Sequence, residues 1–257
     1  MLLPLLLLLR FSFNAYSTTE FMVSTFTVEN YLTFFTDAYY LGIMWTTLQM
    51  AVMVTVLCLV IGYPVAHFVA RRVTRHKSLV IMAVVLPLFV GNAVRAAGWM
   101  VMFGRDGIVN AALMSTGLTD NALQIMYTPF AVVIGISAVN LPIVILTIQS
   151  VIENMDTRVE EAASSLGASN TNVWFQITLP LVWPGILTAA IFCFILTMNA
   201  YATPVLLGGP EFKMMAPVLA DQIMQRGNIP FGAAIASILV GTILLLTFLL
   251  GLTSTKR

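Results

Sequence analysis

Charged residues are scarce in this chain of 257 residues. Aspartate, glutamate, lysine and arginine make up 9% of it, whereas hydrophobic residues make up 59%. An average soluble domain is about 25% charged, so this chain has too little charge to cover a water-facing surface. The composition excludes an ordinary soluble domain and indicates an integral membrane protein. The net charge of +1 gives no reason to expect a nucleic-acid partner.

Cysteine and histidine are also rare, with two residues of each. Cys58 and Cys193 both lie in apolar segments, which favours buried small side chains over a disulfide or a metal pair. His67 and His76 have no partner at a metal-ligand spacing, so we expect no metal site. The apolar segments hold no nucleophile–base pair and no paired carboxylates, which argues against a membrane-embedded enzyme with catalytic residues of its own.

Long apolar segments make up most of the sequence, and a membrane-spanning helix needs about 20 predominantly apolar residues. Five segments reach that length, at 43–69, 79–103, 128–151, 182–207 and 231–253. Met1–Leu9 is apolar but too short to span alone. A signal peptide is the alternative there, although no basic residues precede it and no A-x-A-like site follows. We predict an all-α polytopic membrane protein, one transmembrane domain over 1–257, with six transmembrane helices of which the first is short.

Basic residues indicate the orientation, because lysine and arginine are enriched in cytoplasmic loops. One threading places seven of them inside, namely Arg71, Arg72, Arg75, Lys77, Arg158, Lys256 and Arg257. It places four outside, namely Arg10, Arg105, Lys213 and Arg226. We therefore predict that both termini and the polar loop at 153–180 are cytoplasmic. On the outer side, 10–42 is predicted to lie along the interface, and 104–127 and 208–230 to form structured loops.

The polar loop at 153–180 contains signals for helix starts and ends. Acidic residues followed by alanines favour a short helix, and Gly167 is a plausible end for it. Ser169 is expected to cap a second short helix that runs to Thr178. Pro180 and Pro184 would then mark the entry into the next membrane segment. Such a loop would act as a rigid lever between two membrane helices.

The spacing of the loop is specific. From Glu161 to Pro180 it follows the pattern E-A-A-x3-G-x9-I-x-L-P. An E-A-A triplet alone would fit any amphipathic cytoplasmic loop, but the whole pattern resembles the EAA loop of ABC importer permeases. In that family a short cytoplasmic helix docks onto a separate ATPase subunit. The resemblance implies ATPase-coupling roles for Glu160, Glu161, Ala162, Ala163, Gly167, Ile177, Leu179 and Pro180.

The resemblance extends from about Thr27 to the C-terminus. TVENYLTFF, LPLFVGNAVRAAGW, TPFAVVIG, LPIVILTIQSVIENMD and PFGAA are similar to the first permease subunit of spermidine/putrescine importers and their relatives. This implies a type I permease of the bacterial inner membrane that moves a polyamine-like solute by alternating access. An opine, an amino-acid-like compound or another small organic solute is the alternative. The short first helix departs from the family pattern.

The resemblance also implies a heterocomplex. Its other members would be a second, related permease, an ATPase homodimer and a periplasmic solute-binding protein. No G-x-x-x-x-G-K-[ST] sequence occurs in this chain, so it cannot cradle ATP phosphates itself. We therefore expect no cofactor in this chain, with ATP and Mg²⁺ bound by the partner ATPase. A secondary transporter or channel that works alone would show inverted repeats and embedded carboxylates, and neither is visible.

Polar residues within membrane segments indicate a candidate pathway, because such groups are costly in lipid and default to function. In the segment at 79–103, which is the third when Met1–Leu9 is counted as the first, one helix face carries Asn92, Arg95 and Trp99. Asn140 lies in the fourth segment, near Pro142, and Tyr63–Pro64 form a similar polar break in the second. Asn199 and Tyr201 lie near Pro204 in the fifth. Because proline interrupts the helical hydrogen bonds, we predict a translocation pathway where these breaks converge.

Structural roles are the alternative for the same residues. Arg95 could extend to the outer interface or pair with an acid such as Asp221. Asn140 and Asn199 could hold the bundle together through interhelical hydrogen bonds. An arginine does not suit a dicationic polyamine, although the resembled family has an arginine in this stretch as well. Arg95 therefore neither supports nor excludes that solute.

Overall fold

The computed structural model describes residues 2–19, 21–71, 77–156 and 158–254. Several residues used above lie outside the described residues, namely Met1, Arg72, Arg75, His76, Lys256 and Arg257. The described chain is helical and contains no strand, with one isolated antiparallel bridge between Ala15 and Val23. This confirms the predicted all-α class.

Thirteen α-helices occur in the described ranges. In chain order they are α1 (Leu2–Phe11), α2 (Glu29–Thr36), α3 (Ala38–Arg71), α4 (Lys77–Val85), α5 (Asn92–Phe103), α6 (Ile108–Ser115), α7 (Pro129–Asn154), α8 (Arg158–Ser165), α9 (Asn170–Val173), α10 (Leu179–Met198), α11 (Ala202–Gly208), α12 (Met215–Met224) and α13 (Ile229–Ser254). Four stretches are long and apolar enough to cross a membrane, namely Ala38–Arg71, Pro129–Asn154, Thr171–Met198 and Ile229–Leu249. A bent pair, Lys77–Phe89 with Asn92–Ser115, gives a fifth if it counts as one span. Four or five of the six predicted spans are thus supported. The predicted short first helix corresponds to α1, which has ten residues.

The predicted third span, 79–103, is wrong as a single helix. After α4 the chain makes a 3₁₀ turn at Leu86–Phe89, becomes extended at Val90 and starts α5 at Asn92. The two halves meet at an angle of 95°. Pro87 and Gly91 explain the break, because proline cannot continue the helical ladder and glycine readily adopts non-helical backbone. Counting apolar residues does not detect such a bend.

The predicted fifth span, 182–207, is wrong at both ends. α10 stops at Met198, and residues 199–201 separate it from the short α11. At its other end α10 begins at Leu179 with Pro180 in its first turn, as predicted, but it follows the polar loop without a break, and Pro184 lies inside the helix.

A π-helical turn at Trp174–Thr178 makes this continuity possible. The backbone N–H of Leu179 donates to the carbonyl of Trp174, five residues back. Pro180 has no N–H, and in a regular α-helix its ring would clash with the carbonyl four residues back. The wider turn directly before Pro180 accommodates this, and π-turns are often found at functional sites. The short second helix predicted through Thr178 is therefore the first part of one long helix.

Two predicted polar breaks do not interrupt their helices. α3 runs through Pro64, and α7 runs through Pro142. The start of α7, in contrast, follows its sequence signals: Thr128 Oγ1 accepts from the N–H of Ala131 at 3.3 Å, and Pro129 occupies the first helical position.

α3, α7 and α10 pack against one another at the centre of the bundle. Val54, Ile148 and Ala189 contribute one fully buried side chain from each helix. α10 approaches α7 closely at Gly185, where a Cβ atom would lie 2.5 Å from Cγ2 of Val151. Lipid tails are as apolar as these side chains, so such close van der Waals contact is what holds membrane helices together.

A second buried cluster joins α2 and α3 to α12 and α13. Phe34 of α2 and Ile235 of α13 are fully buried in it. Residues 10–42 therefore do not simply lie along the interface, because α2 and the first residues of α3 belong to the helical bundle.

Candidate coupling loop and translocation cavity

The candidate coupling loop at 153–180 contains α8, which carries Glu160 and Glu161 in its first turn, where negative charge favours a helix. The helix ends as the sequence predicted. Gly167 has a φ of +87°, and the N–H of Ala168 donates to the carbonyl of Ala163 at 3.1 Å. This is the bonding of a Schellman end, in which a left-handed glycine turns the chain away from the helix.

An apolar stripe faces outward on this otherwise polar segment. Val159 is 45% exposed, Leu166 is 90% exposed, and Ala162 is exposed between them. Their spacing of three and four residues places them on one helix face. The motif pattern missed Val159 and Leu166, although their helical spacing was visible in the sequence.

Glu160 faces the opposite way, toward the membrane helices. Its Oε2 lies 3.1 Å from Nη2 of Arg71, at the end of α3, and the two side chains are 22% and 19% exposed. Its Oε1 accepts a hydrogen bond from Oγ1 of Thr178 at 2.6 Å. Glu161, the next residue, is exposed. Neither Arg71 nor Thr178 was identified from the sequence as a contact of this glutamate.

The remaining motif residues divide between inner and outer faces. Ile177 and Leu179 are half-buried at the root of the loop, and Leu179 packs against the main core. Pro180 is exposed, as is Gly167, while Ala163 is half-buried. The predicted set therefore combines exposed residues, the inward-facing Glu160, and a half-buried root formed by Ile177 and Leu179.

A second ion pair lies beside the loop. Nζ of Lys77, the first residue of α4, is 3.0 Å from Oε1 of Glu153 near the end of α7. Nε2 of Gln149 donates to the same oxygen at 2.6 Å. Arg71 and Lys77, which lie on either side of 72–76, thus each pair with an acid of the loop, Arg71 with Glu160 and Lys77 with Glu153.

Four of the six predicted pathway residues line one cavity of about 300 Å³. They are Asn92, Asn140, Asn199 and Tyr201. The cavity lies where the break before α5 and the break after α10 meet α7. The sequence had not identified its other lining residues, which are Ile136, Val139, Leu196, Ala200, Ala202 and Thr203. No lining residue carries a charge.

Arg95 stands behind Asn92 at the bend. Its Nη2 donates to the carbonyl of Val90 at 2.7 Å and to Oδ1 of Asn92 at 3.2 Å. Because a guanidinium only donates, Asn92 must offer its oxygen to Arg95 and keep its amide hydrogens free for the cavity. The alternative pairing with Asp221 is not observed, since Asp221 pairs with Arg226 at 3.0 Å.

Trp99 is absent from the cavity wall. It packs against Phe103, with ring centroids 4.9 Å apart, at the edge of the main core. Its predicted place on the pathway is therefore not supported by the geometry of this cavity.

Neighbouring groups also orient the other two asparagines. Nδ2 of Asn140 donates at 2.9 Å to Oγ1 of Thr197, whose own hydrogen goes to the carbonyl of Cys193. This bond joins α7 to α10, as the structural alternative for Asn140 required. Nδ2 of Asn199 donates to the carbonyl of Ile195 within its own helix at 2.8 Å. Both amides thus keep their carbonyl oxygens available as acceptors.

This combination of membrane-length helices, a structured polar loop and a small cavity lined in part by asparagines indicates a polytopic transport permease. Residues 76–256 match a sequence family described as the binding-protein-dependent transport system inner membrane component. The chain belongs to this family, and it is a multi-pass permease subunit of an ABC importer in the inner membrane.

Individual relatives agree with this assignment. The chain is 33% identical to the spermidine/putrescine transport system permease protein PotB of Haemophilus influenzae over 247 residues, which is 96% of this chain and 86% of the relative. It is 31% identical to the protein of the same name from Escherichia coli over 250 residues, which is 97% of this chain and 88% of the relative.

Solved structures share the fold. A chain from a bacterial ABC transporter involved in the import of the acidic polysaccharide alginate gives a TM-score of 0.74 at 16% identity, covering 93% of this chain and 87% of that chain. A chain from an amino acid ABC transporter with histidines gives a TM-score of 0.62 at 17% identity. The match covers 91% of this chain and 100% of that chain. At such identities the likeness concerns the fold alone.

Proposed function

We propose that this chain forms one transmembrane domain over 1–257, with a coupling loop at 153–180 and both termini in the cytoplasm. It assembles with a second, related permease, an ATPase homodimer that binds ATP and Mg²⁺, and a periplasmic solute-binding protein. The complex moves a small organic solute inward by alternating access, and the energy comes from the ATPase. The observation that carries this proposal is the outward face of α8 and its rigid connection to the cavity.

α8 has the surface that a protein partner would cover. Val159, Ala162 and Leu166 expose apolar area on a polar, water-facing segment, and Glu161 and Gly167 of the same segment are exposed as well. Burying apolar area drives most protein association, at about 25 cal/mol per Å². We therefore assign the ATPase contact to this face, and Ile177, Leu179 and Pro180 to the root that carries the push inward.

α10 connects the root of the loop with the cavity. α10 starts beside the loop at Leu179 and ends at Met198, directly before Asn199 in the cavity wall. At a rise of 1.5 Å per residue, a helix of this length spans about 30 Å, close to the hydrocarbon thickness of a bilayer. A push on α8 would therefore move the break at 199–201, where the cavity opens or closes.

The polyamine-like solute is supported by two relatives and by the cavity. Both relatives are named as spermidine/putrescine permeases. The amide oxygens of Asn140 and Asn199 can accept hydrogen bonds from ammonium groups. Because these acceptors are uncharged, they would hold a cation weakly enough to release it.

Arg95 favours the second candidate, an opine or amino-acid-like solute. The guanidinium of Arg95 donates to the side-chain oxygen of Asn92, which lines the cavity. The amide hydrogens of Asn92 are then available to a solute in the cavity. Donors next to a fixed positive charge suit a carboxylate. Calorimetry of the cognate binding protein with polyamines, opines and amino acids would separate the two candidates.

The decisive experiment is reconstitution of the whole complex in liposomes with its binding protein. We expect uptake that requires ATP on the cytoplasmic side and stops when the ATPase is omitted. Uptake by this chain alone, without ATP, would instead identify a secondary transporter or channel.

A further inference from the structure

Glu160 joins three parts of the structure that are far apart in the chain. It belongs to α8, it pairs with Arg71 at the end of α3, and it accepts a hydrogen bond from Thr178 at the root of α10. Arg71 and Glu160 are both about one fifth exposed. A partly buried ion pair of this kind is screened by salt less than a surface pair. The hydrogen bond that Thr178 donates has a charged acceptor, and such bonds are among the stronger ones.

The two adjacent acids have different surroundings. Successive residues in an α-helix point about 100° apart, so Glu160 and Glu161 cannot face the same partner. Glu161 is exposed, whereas Glu160 contacts Arg71 and Thr178 of the bundle. An ATPase seated on Val159, Ala162 and Leu166 would reach Glu161 and leave Glu160 covered by this chain's own helices.

Glu160 also contacts the π-turn, because it accepts the hydrogen bond from Thr178. Thr178 is the last residue of that turn, and Trp174, its first, meets Tyr63 of α3 edge-on with ring centroids 5.8 Å apart. The bond from Thr178 to Glu160 fixes the turn in one register against α3.

We propose that Arg71, Glu160 and Thr178, here called the clasp, transmit the push on α8 to α3 and α10 together. Glu160 is a positioning residue in this arrangement and does not contact the ATPase. The inference rests on the proposed function, because it concerns how ATP hydrolysis is coupled to uptake. It changes the motif-based assignment of Glu160 from an ATPase contact to an internal link.

The test uses the full complex in liposomes and measures three quantities: ATPase retained on the permease, ATP hydrolysed, and solute taken up. For Glu160→Gln we expect retention to stay within about twofold of wild type, while solute transported per ATP falls roughly tenfold, which corresponds to about 1.4 kcal/mol. Asp221→Asn is the matched control. This variant breaks a different ion pair, in which Oδ2 of Asp221 lies 3.0 Å from Nε of Arg226 on the proposed outer side. It should leave all three quantities unchanged.

Rescue distinguishes the clasp from a general packing defect. Arg71→Glu and Glu160→Arg should each uncouple, and the double variant should recover most of the coupling because the pair is restored with reversed charges. Thr178→Ser keeps the hydroxyl and should behave like wild type, whereas Thr178→Val should uncouple. The threonine variants change no charge, so they decide the question if a charged variant fails to assemble.

Three results would overturn the clasp. They are loss of ATPase retention in Glu160→Gln, normal coupling in both Glu160→Gln and Thr178→Val, and a double charge reversal no better than its single variants. None of them affects the proposed function, which fails only if the wild-type complex shows no ATP-dependent uptake.

Discussion

Leu166 is the residue whose exposure is hardest to explain without a partner. It presents 90% of its surface on a polar loop, at the end of the helix that we propose docks onto the ATPase. Burying a leucine side chain contributes about 1.5–3 kcal/mol. We therefore expect Leu166→Ala to weaken ATPase binding roughly tenfold or more, measured as ATPase retained on the tagged permease complex.

Leu118 provides the matched control for Leu166. It is 73% exposed, but it lies in the loop predicted to be outside. Leu118→Ala should retain as much ATPase as wild type. Equal retention in the two alanine variants would show that the apolar stripe on α8 is not the docking face.

Arg95 acts at the bend between α4 and α5. Arg95→Ala would remove the donor to the Val90 carbonyl and release the amide of Asn92. Uptake should fall while the complex still assembles, because these contacts shape the cavity and lie outside the main core. Arg95→Lys keeps one donor group and should retain intermediate uptake, since lysine lacks the guanidinium fork.

The purified Arg95→Ala complex should elute from a sizing column at the wild-type position. Loss of assembly would instead assign Arg95 a purely structural role at the bend.

At the scale of helices, the contact between α10 and α7 depends on Gly185. An added Cβ atom would lie 2.5 Å from a methyl group of Val151, so one of the helices must shift. Overpacking of this kind costs about 1–3 kcal/mol. Gly185→Ala should therefore lower the Tm of the complex in detergent.

Gly241 offers the opposite case in α13. Nothing lies within 4 Å of a Cβ atom added there. Alanine is a better helix former than glycine by about 1 kcal/mol, so Gly241→Ala should leave the Tm unchanged or raise it slightly. A Tm that responds equally to both substitutions would contradict the close packing of α10 on α7.

Helix boundaries were predictable where the signal is local. Thr128 followed by Pro129 starts α7, and Gly167 ends the turn after α8, because a cap or a left-handed glycine acts within a few residues. The 95° bend before α5 was missed, since an apolar window contains no information on direction. The π-turn was missed because it reconciles Pro180 with a helix that tertiary contacts hold together.

At the scale of the whole molecule, four of the ten residues that line the cavity were predicted from the sequence, but nothing in the sequence explains why they meet. Asn92, Asn140 and Asn199 were selected because amides are costly in lipid, and the fold brings them to one cavity. Trp99 lies on α5 together with Asn92, but it packs against Phe103 at the edge of the main core and does not line this cavity. The pairing of Arg71 with Glu160 joins residues almost ninety positions apart, and no local pattern predicts it.

The orientation of the molecule decides whether the stripe on α8 can meet an ATPase. Lysine and arginine favour the cytoplasmic side, and the proposed threading places seven of them there and four outside. It also places Leu166 in the cytoplasm and Leu118 outside. Cysteine labelling tests this directly, because the native Cys58 and Cys193 are fully buried and can be replaced by alanine.

In that background, Leu166→Cys and Leu118→Cys each add one exposed thiol. A maleimide that cannot cross the inner membrane should label Leu118→Cys in spheroplasts and leave Leu166→Cys unmodified. Permeabilised membranes should give labelling of both, which controls for reactivity. Labelling of Leu166→Cys in intact spheroplasts would place the loop outside, where no ATPase could reach it, and would refute the coupling mechanism. Protection of Leu166→Cys by added ATPase in permeabilised membranes would connect the orientation to the docking face, since a covered thiol reacts slowly.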